Sequence, residues 1–445
     1  MDGSGPFAAT PDSRAAGGRS LAATLRAMHA APAEPACALG LFLLAATTLA
    51  TPWDVLPGAL LLLVAGALGW RAVRATPVPV ALRTVQVAML AVVAVVVFSK
   101  LLADVPWREV DNRARLLLMP VAALVVLALR PPRLLLWWGA VTGVAIAALL
   151  AAAEAWAGGV RADGVVSHPL VFSSVVVALV ALAVFCRPAA GGGGVATTAG
   201  VLGVIALGLS GSRGAWLGVG VIVTAGLLTH GGRMRLLSWG VLAALCVTLL
   251  AAWSAPPLAR QTRLQELRQD IARLQAGDTD SSLGARLEMY RFAAHAFAAH
   301  PLIGVGVGRL GEHVAATPEC VERPRAACRL GHAHNDALEW GATMGLPGLF
   351  ALLAIYGVPL MVFLRLLRAL PKAARPCSAA LAGAVVVMVF VACGLTQSMF
   401  AHQLTATFYA LVVGVLLALA AAESAFATPE SRLRAPAPER RTQHP

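Results

Sequence analysis

The chain has 445 residues, of which 58% are hydrophobic and 13% charged, with a net charge of +13 and a mean hydropathy of +0.76. So few polar side chains cannot cover the surface of a soluble domain of this length, and the composition specifies a polytopic membrane protein. The basic excess does not mark nucleic-acid binding, because Lys and Arg are scattered through short loops rather than gathered into a run or a reading motif; membrane lipid is the simpler partner.

In chain order, residues 1–35 are small and polar, too long and too weakly basic at the start for a secretory signal, so the first apolar segment is read as retained. Apolar runs able to cross a hydrocarbon core of about 30 Å fall at residues 36–52, 56–73, 84–103, 114–129, 134–156, 168–186, 195–210, 214–229, 235–253, 338–364, 377–398 and 402–422. This predicts an all-α fold: a tail over 1–35, helices one to nine within 36–253, a large helical loop over 254–337, helices ten to twelve within 338–422, and a tail over 423–445. The expected count is about twelve. Only a short Ser/Gly/Arg turn separates 195–210 from 214–229, so eleven or thirteen stays open.

Orientation follows from the loops. Arg71, Arg74 and Arg83, then Arg130 and Arg133, Arg187, Arg233 and Arg235, and Arg365, Arg368, Lys372 and Arg375 sit on one side without acidic residues. The positive-inside rule makes that side cytoplasmic, with both termini, and places 254–337 outside. The tails and the glycines at 191–194 carry no chemistry, and no fixed-period repeat is present.

The loop itself is patterned. Leu264, Leu267, Ile271 and Leu274 recur at helical spacing, which predicts an amphipathic helix on the membrane surface or packed on other helices. After a break, Ser281 or Ser282 is a candidate N-cap for a second helix ending at His300-Pro301. The following LIGVGVGRLGE is a loop or re-entrant turn; it lacks the βαβ setting of a dinucleotide fingerprint, so no nucleotide is expected. Cys320 and Cys328 flank VERPRAA in this stretch, and in an oxidising compartment they would form a disulfide, otherwise two free thiols. Cys37, Cys186, Cys246, Cys377 and Cys393 lie in or beside apolar runs, as small buried hydrophobes do.

Chemistry concentrates where the loop meets the tenth helix. GHAHNDALEW sets His332, His334, Asn335, Asp336 and Glu339 against a long apolar segment, and ionisable groups at such a junction are costly unless used. His334 reads either as a capping or interfacial histidine or as a general base, since imidazole titrates near neutrality. Arg213, in the turn SGSRG, and Arg286, near a helix start, read as snorkelling cations or as ligands for an anion such as pyrophosphate. His295, His300 and His313 lie upstream, but the spacing matches no zinc pattern, and Asp278-Thr279-Asp280 reads as a turn before it reads as a metal motif, so no metal is expected.

On these residues the chain resembles the O-antigen ligase family, within a superfamily that includes O-antigen polymerases and protein O-oligosaccharyltransferases. The family pattern of His followed by Asn, Ser or Gln, nine residues, then Gly-x-x-Gly is met by His334, Asn335, Gly345 and Gly348; Ser212-Arg213-Gly214 matches its arginine turn, and Arg286 upstream of His300 to Gly306 its second arginine. Arg161 to Gly164, leading to His168-Pro169, is a weaker match. The resemblance implies transfer of a glycan from undecaprenyl pyrophosphate to a sugar hydroxyl of lipid A–core on the periplasmic face of the bacterial inner membrane, with no cofactor, metal or nucleotide. His334 would be the base, and Arg213, Arg286 and Arg161 would bind pyrophosphate. Polymerisation is the alternative within the superfamily, and a transporter for a lipid-linked oligosaccharide the alternative outside it, although the one-sided polar cluster and the lack of repeats favour an enzyme.

Overall fold

The computed structural model describes residues 32–158, 161–166, 168–229, 231 and 264–426, and among these the chain is wholly helical. The ninth apolar run (235–253), the tails and Cys246 lie outside the described residues. Six described helices are long and apolar enough to cross a membrane, and five further apolar helices are shorter. The chain is a multi-pass membrane protein.

The first helices are α1 (Ala33–Ala46), α2 (Leu56–Leu68) with a short continuation α3 (Trp70–Ala75), and α4 (Val80–Ala103). Then come α5 (Arg108–Ala114), running through a 3-10 turn into α6 (Leu118–Leu129), α7 (Arg133–Trp156), α8 (Pro169–Phe185), α9 (Gly193–Ser210) and α10 (Trp216–Thr229). Between α10 and the next apolar helix lie α11 (Leu264–Gln275), α12 (Ser282–Ala299), α13 (Leu310–Ala315) and α14 (Pro318–Glu322). The chain closes with α15 (Asp336–Ala369), α16 (Ala379–Gly394) and α17 (Gln403–Phe426).

Helices α8, α16 and α17 are apolar on every side, and such helices belong at the centre of a bundle. They do lie there: the hydrophobic window of α17 is fully buried, and α16 packs on α8, α10, α15 and α17. Helix α15 bridges α4, α12, α16 and α17. It is thus the route from the bundle into the segment above it, which has its own small core of Met289, Phe292, Leu310, Val314, Ala327 and Ala333 among others.

The expected tenth helix is broken. Gly345 has φ 64° and ψ −151°, a conformation essentially reserved for glycine, and it divides α15 just before Pro347. The backbone groups freed there are taken up by the glycine-rich loop: Leu346 N–H donates to Pro301 O (2.8 Å), Val305 N–H to Ala342 O (2.9 Å) and Gly306 N–H to Thr343 O (2.9 Å). A methyl group on Gly345 would lie 2.6 Å from Pro301 O, and one on Gly304 2.3 Å from the carbonyl carbon of Thr343. The two glycine motifs are therefore the two halves of one backbone contact.

Other expectations fare differently in detail. Ser281 caps α12 by accepting from Gly284 N–H (3.1 Å), and α12 ends at Ala299. Cys320 and Cys328 form a disulfide with Cα atoms 5.7 Å apart. The three side chains of Asp278-Thr279-Asp280 are used within the fold. Asp278 pairs with Arg273, Thr279 donates to Glu288, and Asp280 accepts from Ala326 N–H.

Candidate functional site

The cap of α15 places His334. Asn335 accepts from Leu338 N–H through its side chain (3.0 Å), which fixes the helix start, and His334, just before it, takes the left-handed conformation at φ 52°. The capping role open to His334 belongs to Asn335. The two acids that follow hold the surroundings: Glu339 accepts from Ala333 N–H (2.8 Å) and lies 3.6 Å from Arg113 of α5, while Asp336 accepts from Met399 N–H (2.8 Å) and from the Tyr356 hydroxyl (2.7 Å).

The turn between α16 and α17 is thereby drawn against the His334 loop. Leu395 O accepts from Asn335 Nδ2 (3.0 Å) and from the Tyr290 hydroxyl (3.3 Å), and Tyr290 also donates to His334 O (3.2 Å). The same turn carries Gln397, whose Oε1 lies 2.8 Å from His334 Nδ1 and whose Nε2 contacts His402 Nε2. His402 in turn contacts His168 (ring centroids 4.8 Å apart) and His332 (5.3 Å), and His332 contacts His334 (4.3 Å). His332 thus comes from the same loop as His334, and His168 and His402 from sequence-distant elements; His300 instead stands beside His313. Among the described residues no group of His, Cys, Asp or Glu is arranged to hold a metal ion.

Burial dominates the titration of this cluster. It lowers His334 below its ordinary 6.5, assisted by the positive charge of Arg286, takes His332 down to about 3 and His402 to about 4, and lowers His168, where Arg161 adds to the effect. At neutral pH the imidazoles are uncharged and His334 is in its basic form.

Beside the cluster opens a cavity of about 510 Å³, lined by His334 and Arg286 together with Asp270, Arg273 and Glu266. Helix α11 forms one wall with its polar face, leaving Ile271 41% exposed on the far side. Arg213 reaches this wall by pairing with Asp270 at 3.7 Å. Its turn is set by Gly214, where a methyl group would lie 2.0 Å from Thr396 Oγ1 in the Gln397 turn. Within the turn, Ser212 N–H is bonded to Ser210 Oγ (3.2 Å), so it is not a free donor for an anion. Arg161 supports the turn from behind, donating to Ser210 O (3.2 Å) and Ser212 Oγ (3.4 Å). The structure therefore puts His334 and Arg286 on one cavity, Arg213 at its wall through Asp270, and Arg161 against the Arg213 turn.

Sequence reasoning passed over Gln397, His402 and Asp270. The first two were findable: Gln397 and His402 are polar residues at the facing ends of two apolar runs, on the same predicted face as His334. Asp270 carried no such signal, being one of several charges on an amphipathic helix.

Residues 198–353, from α9 to the middle of α15, match the family model described as O-antigen ligase. This part of the chain is an O-antigen ligase family domain. A protein of Haemophilus influenzae described as uncharacterized is 27% identical over 167 residues, which cover 37% of this chain and 42% of the relative. The match thus spans less than half the relative's length. The ligase-family domain contains Arg213, Arg286 and His334; Arg161, Gln397 and His402 flank it on either side.

Proposed function

We propose that the protein is an O-antigen ligase of the bacterial inner membrane, with the cavity open to the periplasm and both termini in the cytoplasm. It would transfer a glycan from undecaprenyl pyrophosphate to a sugar hydroxyl of lipid A–core, without metal or nucleotide. The observation that carries the reading is that an imidazole, His334, and a guanidinium, Arg286, line one cavity, with burial lowering the imidazole's pKa. In the step proposed, His334 takes the proton of the acceptor hydroxyl, the new bond forms between that oxygen and the anomeric carbon, and the bond from that carbon to the pyrophosphate oxygen breaks, with inversion. The leaving pyrophosphate carries away the electron pair, and Arg286 and Arg213 stabilise the charge as it develops. Arg161, bonded to the Arg213 turn, adds positive charge behind it. Both lipid tails stay in the bilayer.

The test is transfer by purified protein in detergent, given lipid-linked glycan and lipid A–core with chelator and no nucleotide. A glycan-bearing core supports the ligase; longer glycans on the donor lipid alone would make it a polymerase; no reaction with either would return the transporter reading.

A further inference from the structure

We propose that Gln397 is a positioning residue that holds His334 in the tautomer able to accept a proton into the cavity. The inference rests on the reading of His334 as the base. An amide carbonyl only accepts hydrogen bonds, so the 2.8 Å contact between Gln397 Oε1 and His334 Nδ1 requires the hydrogen on Nδ1. The lone pair then resides on Nε2, the nitrogen left for an acceptor hydroxyl. The opposite tautomer would put the hydrogen on Nε2 and leave the lone pair on Nδ1, facing Gln397 Oε1 instead of the acceptor hydroxyl.

The structure holds this amide on every side. Gln397 is only 2% exposed, its Nε2 is engaged by His402, and its turn is bound to both neighbouring elements through Asn335, Tyr290 and Asp336. An amide is neutral, so it orients the imidazole without the charge that a carboxylate in the same place would add. The titratable and charged groups facing His334 are His332 on its own loop, Arg286 and Tyr290 on α12, and His168 before α8, with His402 beyond Gln397, and, across the shared cavity, Glu266, Asp270 and Arg273 of α11 and Asp280 before α12.

The experiment uses the full chain in nanodiscs with 15N-labelled histidine. In wild type, the resonances lost in His334→Ala should report the Nδ1–H form, and in Gln397→Ala they should move toward a mixture of tautomers. Transfer from the undecaprenyl-pyrophosphate-linked glycan to lipid A–core should lose about tenfold or more in kcat, bounded above by the roughly 10²–10⁴-fold contribution of the positioned base itself, with the donor KM unchanged. Gln397→Glu should keep substantial activity but move the acid limb of the pH–rate profile to higher pH, since a carboxylate beside Nδ1 favours imidazolium. An Nε2–H tautomer in wild type, or unchanged tautomer and kcat in Gln397→Ala, overturns the inference. Should Gln397→Ala fail to fold, an unshifted acid limb in Gln397→Glu overturns it equally. If His334→Ala still transfers glycan, the general-base reading fails, and the tautomer spectra still decide the Gln397 contact separately.

Discussion

His334 and its neighbours carry charge predictions that follow from burial. Removing the imidazole in His334→Ala should leave a folded, inserted protein with activity reduced by about 10²-fold or more, the contribution expected of a positioned base; transfer at the wild-type rate would end that role. The lowered His334 pKa places the acid limb of the pH–rate profile below pH 6.5, and a limb at or above that value would contradict it. Stability has its own sign. His332 and His402 are lowered from 6.5 to about 3 and about 4, so between those values and 6.5 the unfolded chain binds more protons than the folded one. Their contribution is intact above pH 6.5 and is lost as pH falls toward 4 and then 3. Thermal melting should therefore be flat above neutrality and decline through that window, and His402→Gln should flatten the decline. At this scale the sequence was informative about identity but not about neighbours. His334, Arg213 and Arg286 were legible from local motifs, whereas the partnership of His334 with Gln397 and His402 joins residues more than sixty positions apart.

The break in α15 and the cross-linked turn above it are properties of elements. Gly345→Ala would place a side chain in a backbone region costing about 1–3 kcal/mol and against Pro301 O. It should lower the melting temperature and, by displacing the His300–Gly306 loop, lower activity with it; a variant as stable as wild type would show that the loop relaxes freely. Cys320→Ser removes a cross-link of sequence separation 8. Chain entropy puts its worth at about 2–3 kcal/mol, so stability should fall more than activity, and melting unchanged by reductant would argue against the bridge. Helix positions were readable because apolar runs report them directly. The break was not, because Gly345 and Pro347 sit inside a continuous apolar run and nothing local says which backbone will take up the freed groups.

Across the whole molecule, the Arg113–Glu339 pair ties α5 to α15 with both side chains almost fully buried, at 5% and 4% exposure. Removing one partner strands a buried charge, so Arg113→Met should destabilise by about 3–5 kcal/mol. Arg113→Met combined with Glu339→Gln should recover part of the loss, since the amide oxygen can still accept from Ala333 N–H; equal melting of the single and double variants would count against a charge effect. Membrane class, the helical runs that lie among the described residues and the motif residues of a ligase-family domain were determined by the sequence alone. Hydropathy, loop charge and short motifs are local quantities, and a bilayer turns local hydropathy directly into spanning helices. The histidine cluster, the Gln397 contact, the cavity shared by His334 and Arg286, and the loop docked in the α15 break were decided only by the tertiary structure. Each is a contact between segments far apart in the chain, and which polar groups meet there depends on how α8, α12, α15 and the turn before α17 pack against one another.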